Sequence, residues 1–265
     1  MRIWTVDAFA DKLFSGNPAA VCVVELFPAD AFMQSVATEM NLSETAFVVR
    51  LAGNYFHVRW FTPAVEVRLC GHATLASAHI LWQEKFANAK DPIRFESLSG
   101  PLTVTKEIDG KMMTLNLPAQ PALEPFESVE LTQALGTKPL FVGRAYDDCL
   151  VEVESEPVLR GLTPDMQILR KFNCRGIIVT ARSGGGQYDF VSRFFAPREG
   201  VLEDPVTGSA HCKLAPYWAK KLGKLDFIAY QASPRGGILH VRLQQDRVLI
   251  AGTAITVLTG DISVP

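Results

Sequence analysis

The chain has 265 residues, 48% hydrophobic and 20% charged, with a formal net charge of −2. That balance describes an ordinary globular protein and gives no electrostatic reason to expect nucleic acid or an anionic membrane as partner. Its five cysteines (Cys22, Cys70, Cys149, Cys174 and Cys212) are scattered, odd in number and free of any C-x-x-C pair, which argues against a disulfide framework or a structural zinc site.

Met1-Arg2-Ile3-Trp4-Thr5-Val6-Asp7 carries charge where a signal peptide would carry its apolar core. The stretch 69–83 is free of Asp, Glu, Lys and Arg but falls short of the roughly 20 residues that span a bilayer. The expectation is a cytoplasmic protein with reduced thiols and no membrane partner.

In chain order, a helix is expected over 29–40, followed by Asn41-Leu42-Ser43-Glu44 and a strand over 45–49. A helix over 72–85 follows, small or apolar on nearly every face, so protein must surround it. Strands are expected over 102–106 and 112–117, and the proline-rich stretch 118–125 reads as a linker. Thr163-Pro164 has the signature of a helix start, with the helix running to about residue 172. A strand over 177–180, a helix over 207–222 and strands over 238–243 and 248–250 complete the chain.

The two halves rhyme. Arg59-Trp60-Phe61-Thr62-Pro63 answers to Arg193-Phe194-Phe195-Ala196-Pro197 at an offset of 134 residues (193 − 59). Carried forward, that offset pairs Val67 with Val201, Cys70 with Asp204 and Ala76 with Ala210. The fold class this predicts is α+β, with two pseudo-symmetric halves over 1–120 and 121–265, each a curled, barrel-like sheet around a buried central helix.

Related halves place equivalent points beside a pseudo-two-fold axis, and ligands favour clefts between domains. Two helix N-termini directed at such a cleft would offer free N–H groups to a carboxylate. The segments at those ends are Cys70-Gly71-His72-Ala73-Thr74 and Asp204-Pro205-Val206-Thr207-Gly208-Ser209. Their glycines, Gly71 and Gly208, permit close approach to the backbone. A histidine at such an end is expected to stay neutral, because an imidazolium opposes the helix dipole.

These segments, with Asp7-Ala8-Phe9, Ser15-Gly16-Asn17-Pro18, Asn41-Leu42-Ser43-Glu44-Thr45 and the Glu203 to His211 block, resemble the signature blocks of the PhzF-like phenazine-biosynthesis family. The resemblance runs in order through nearly the whole chain, and that family is similar in fold to diaminopimelate epimerase. It implies a cofactor-independent isomerase in which a glutamate moves a proton between carbons of a small carboxylated substrate. The catalytic positions it implies are Glu44, His72 and Asp204. Asn17, Cys70, Gly71, Gly208 and Ser209 are the candidate substrate contacts, and a homodimer is implied.

Plainer readings stand beside these. Glu44 alone could be a capping or solvated residue, His72 a satisfied structural histidine, Asp204 a helix N-cap, Cys70 inert core, and Asn17 a turn former. His57, His79 and His240 show no ligand spacing, so no metal site is expected. Gly184-Gly185-Gly186 precedes no helix and is not a phosphate loop. Two alternatives to the one-glutamate isomerase remain: a two-base racemase or epimerase using Cys70, and a non-catalytic binding protein on the same fold. Against the racemase, the position matched to Cys70 is Asp204 rather than a second thiol.

Overall fold

A computed structural model describes residues 1–107, 111–121 and 124–263. The chain divides into two units, residues 1–116 with 250–265 and residues 117–249. The fold is mixed α+β.

In the first unit, β1 (Arg2–Ala8), β2 (Asn17–Val24), β3 (Glu44–Ala52) and β4 (Tyr55–Phe61) are followed by the two-residue β5 (Glu66–Val67). Then come β6 (Ile93–Glu96), β7 (Leu102–Lys106) and β8 (Met113–Pro118). Pairing is antiparallel except at β2–β3 and β4–β6. Each parallel pair needs a crossover, which helices supply. Helix α1 (Asp30–Met40) crosses from β2 to β3, and α2 (Gly71–Gln83) lies between β5 and β6.

Helix α2 has eleven buried residues among its thirteen, as its lack of a polar stripe predicts. It packs on β1, β2, β3 and β7, so the sheet must curl around it. Its internal hydroxyls are satisfied locally: Thr74 Oγ1 donates to the Cys70 carbonyl at 2.5 Å and Ser77 Oγ to Ala73 at 2.7 Å.

The second unit repeats this plan. Helix α3 (Val129–Leu135), β9 (Phe141–Ala145), β10 (Asp148–Glu152), α4 (Glu156–Gly161) and α5 (Met166–Lys171) open it. β11 (Ile177–Arg182), β12 (Phe190–Ala196), β13 (Val201–Asp204), α6 (Gly208–Leu222), β14 (Asp226–Gln231) and β15 (Gly237–Gln244) follow. The parallel pairs are β10–β11 and β12–β14, and β9–β10, β11–β12, β12–β13 and β14–β15 are antiparallel. This is the order and sense of β2 to β7 over again, with α6 in the place of α2. Around α6, Trp218 stacks on Phe190 with ring centroids 5.6 Å apart and donates from Nε1 to Thr180 Oγ1 at 3.0 Å.

Three sequence expectations shift. Residues 250–265 belong to the first unit rather than to a 121–265 half, because after β16 (Arg247–Gly252) the last strand, β17 (Ala254–Asp261), pairs with β1. The units divide inside β8, at 116/117, rather than in the proline-rich stretch 118–125. Helix α5 starts at Met166 rather than at Thr163-Pro164, because Asp165 is the better cap: its Oδ1 accepts from Gln167 N at 2.8 Å and Ile168 N at 3.1 Å.

Candidate functional site

Four of the expected site residues meet in the first unit. Gly16 turns the chain into β2 with φ +68°, and a Cβ there would lie 2.3 Å from the Ala8 carbonyl, so only glycine fits before Asn17. Asn41 closes α1 in the left-handed conformation, φ 48°, which asparagine tolerates, and β3 opens three residues later at Glu44. Parallel pairing of β2 with β3 sets Glu44 beside Ala19, at the same strand end as Asn17. Cys70 caps α2, and His72 is its second residue.

His72 is the hub. Its Nε2 lies 3.0 Å from Glu44 Oε2, and its Nδ1 lies 3.1 Å from Asn17 Nδ2 and 3.5 Å from Cys70 Sγ. The His72 side chain is 5% exposed and that of Glu44 17%, so the pair is shielded while the carboxylate keeps an opening to the outside. With the amide of Asn17 donating to Nδ1, the ring proton sits on Nε2, the nitrogen 3.0 Å from Glu44 Oε2. A second proton on the ring would require Asn17 to present its carbonyl instead, a turn of the amide that costs no change of shape.

Burial alone would push the His72 imidazole down, but the Cys70 and Glu44 contacts outweigh it and hold it well above its ordinary value. That direction runs against the neutral histidine expected at the helix end, because the Glu44 carboxylate 3.0 Å away favours the imidazolium that the helix dipole and burial oppose. Burial, reinforced by the charge of Glu44, pushes the Cys70 thiol up to about 11. At neutral pH Cys70 is a thiol, a poor base. The ligand atoms of Glu44, Cys70 and His72 lie within 4.8 Å of one another, a spacing that a divalent ion could bridge. In this structure both His72 nitrogens are already committed to Glu44 and Asn17.

In the second unit, Asp204 ends β13 and its carboxylate accepts the Thr207 hydroxyl. Gln231 pins the same turn: its Nε2 donates to the Asp204 carbonyl at 2.8 Å, and its Oε1 accepts from Thr207 N at 2.8 Å. The N-cap of α6 is Thr207, not Asp204. Gly208 and Ser209 open the helix, and Arg175 Nη2 donates to Ser209 Oγ at 3.1 Å.

The register corrects the sequence match of Cys70 with Asp204. The offset of 134 holds through β4 and β12, but the two helices start at Gly71 and Gly208, 137 apart (208 − 71). Three residues are added between strand and helix, and Cys70 corresponds to Thr207. The same correspondence sets Glu66 beside Glu203, and both accept a paired bond from an arginine, Arg59 and Arg193. His72 then corresponds to Ser209. Because β3 and β11 align at Thr45 and Ile177, opposite Phe61 and Phe195, Glu44 corresponds to Gly176. A Cβ at Gly176 would lie 2.2 Å from the Phe194 ring, so the space of the equivalent side chain is filled. The second unit holds neither the acid nor the histidine of the first.

Sequence reasoning passed over Thr207, Gln231, Arg175, Asp148 and Lys213. The shift of three in the repeat conceals Thr207, and only the tertiary fold brings Gln231, Arg175 and Asp148 to α6, where Lys213 already lies.

The phenazine biosynthesis-like protein family matches residues 6–260. The chain belongs to that family. An uncharacterized isomerase of Halalkalibacterium halodurans is 52% identical over 261 residues, covering 98% of this chain and 97% of its own. The crystal structure of a PhzF-family protein of Enterococcus faecalis superposes with a TM-score of 0.91 at 41% identity, over 99% of each chain. A hydroxyproline epimerase of Agrobacterium vitis shares the fold, with a TM-score of 0.67 at 11% identity over 98% of this chain and 91% of its own. The chain is an isomerase of the phenazine biosynthesis-like family, with an epimerase-like fold. Among the described residues no helix is long and apolar enough to cross a membrane.

Proposed function

We propose that this isomerase moves a proton between carbons of a small carboxylated substrate without a cofactor, using Glu44 as its single acid/base. The observation that carries the reading is the shielded pair of Glu44 and His72 at 3.0 Å, steadied by Asn17. The Glu44 carboxylate takes a proton from a carbon next to an activating group. The electron pair of the broken C–H bond spreads into the neighbouring π system, and the proton is returned from Glu44 to another carbon. His72 orients Glu44 and supplies a hydrogen bond as charge shifts, and Asp204 supports the site. Asn17, Cys70, Gly71, Gly208 and Ser209 are the substrate contacts in this reading, and the protein works as a cytoplasmic homodimer.

A two-thiol racemase would need a second thiolate. Cys70 is a thiol at neutral pH and its counterpart is Thr207, which supports one base rather than two. A binding protein without chemistry would have no use for a shielded carboxylate and imidazole 3.0 Å apart. The test is deuterium uptake from heavy water into small unsaturated carboxylic acids, followed by NMR. Uptake by wild type that disappears in Glu44→Gln supports the reading, and undiminished uptake in that variant ends it.

A further inference from the structure

The second unit contains an ion network that the proton transfer does not use. Asp148, at the start of β10, is fully buried and its Oδ2 takes Lys213 Nζ at 2.6 Å and Arg175 Nη2 at 2.5 Å. Lys213 is 1% exposed and also reaches Asp147 Oδ1 at 2.8 Å, while Arg175 Nε lies 3.1 Å from Asp147 Oδ2. The Arg175 guanidinium lies over the Phe194 ring, 5.2 Å from its centroid. Two cations and two anions balance, and the guanidinium is gripped from several sides. From that held position Arg175 Nη2 reaches Ser209 Oγ at 3.1 Å.

A guanidinium carries donors and no acceptor, so Ser209 must be the acceptor of this bond. The Ser209 proton must then be given to something else, and none of the hydrogen bonds described for this residue spends it. Ser209 is half-buried, so an outside group can reach it. Its counterpart in the first unit is His72, the residue in contact with the acid/base.

We propose that Arg175 is a positioning residue that commits the Ser209 oxygen as acceptor, so that the Ser209 hydroxyl donates to the substrate's carboxylate. The inference rests on the carboxylated-substrate reading above. Arg175 itself stays neutralised by Asp147 and Asp148. Selectivity for a carboxylate therefore comes from a polarised hydroxyl aimed in one direction, rather than from a bare positive charge.

The experiment compares benzoate with benzamide, which matches its shape without its charge, by calorimetric or NMR titration. Wild type, Ser209→Ala, Arg175→Met and the double variant are titrated, after circular dichroism has confirmed that each is folded. Ser209→Ala leaves the ion network intact and guards against a folding defect in the arginine variant. Wild type should prefer benzoate by at least tenfold. Each single variant should lose about ten- to a hundredfold of benzoate affinity, the range of a hydrogen bond to a charged group, with benzamide unchanged. The double variant should bind no more weakly than the worse single variant, because both act through one hydroxyl. Arg175→Met with wild-type selectivity, losses that multiply in the double variant, or a wild type without preference for benzoate would each overturn the inference. Benzoate has no transferable C–H, so Glu44-dependent deuterium uptake alongside a failed titration overturns the Arg175 role and leaves the isomerase reading standing.

Discussion

Glu44 Oε2 and His72 Nε2 meet at 3.0 Å, one from the first residue of a strand and the other from the second residue of a helix. Two short runs distant in sequence are joined into one acid/base unit by the packing of α2 against β3. Glu44→Gln removes the basic oxygen while keeping the shape. Its deuterium uptake should fall by about 10²- to 10⁴-fold, the usual contribution of a positioned acid/base group, with the thermal midpoint little changed.

Cys70 should be expendable for the chemistry. With its thiol held up to about 11, Cys70→Ser should keep deuterium uptake within about tenfold of wild type. Iodoacetamide should label the thiol at pH 7.5 far more slowly than it labels free cysteine, as followed by mass spectrometry. A loss comparable with that of Glu44→Gln would restore the two-base alternative.

The two central-helix histidines predict opposite limbs of a stability profile. Burial lowers His211 from 6.5 to about 4, and its Nδ1 lies 2.9 Å from the Thr207 carbonyl. The unfolded chain binds this proton first as pH falls, so its contribution is complete above 6.5 and is lost between 6.5 and about 4. At 1.36 kcal/mol per unit this amounts to up to about 3 kcal/mol. His72 is raised, so its contribution is complete below 6.5 and declines as pH rises above that. Urea midpoints from pH 4 to 9 should peak near 6.5, and His211→Gln should flatten the acid limb alone.

Lys213 should be costly to remove. It shares Asp148 with Arg175 inside the second unit, and Lys213→Met leaves a fully buried carboxylate with one cation fewer. A loss of about 3–5 kcal/mol is expected in denaturant unfolding, the range for breaking one side of a buried ion pair. The deuterium uptake of the remaining folded protein should change less than its stability.

Gly176→Ala should destabilise by about 1–3 kcal/mol, because the new methyl group meets the Phe194 ring. In a double-mutant cycle with Phe194→Ala, the penalty at position 176 should largely vanish.

Much of this was legible in the sequence, and the failures have identifiable causes. Helix α2 could be read because a stretch with no polar face has one place to go, and its wrapping strands follow from that. Glu44, His72, Cys70 and Asn17 could be named from ordered motifs, and the structure brings those four together. The upward push on His72 could not be read because a helix end is visible in one segment, whereas its partner carboxylate arrives from another strand. The Cys70–Asp204 match failed because a repeat read at a constant offset cannot show three residues added before a helix. The return of β17 to β1 was equally hidden, since pairing between chain ends leaves no local pattern. Lys213 and Asp148 carry no motif, and their significance appears only when both are seen to be dry.

The ring that fills the vacant corner at Gly176 also acts as a ratchet on the history of the fold. If both halves descend from one ancestral unit, the second cannot regain an acid at that corner by a single codon change without displacing the Phe194 ring, because every side chain begins with the atom that meets it. Phe194 would have to move or shrink, at a cost to the packing that now depends on it. The division of labour between the halves is thus latched by sterics, independent of any selection for the reaction.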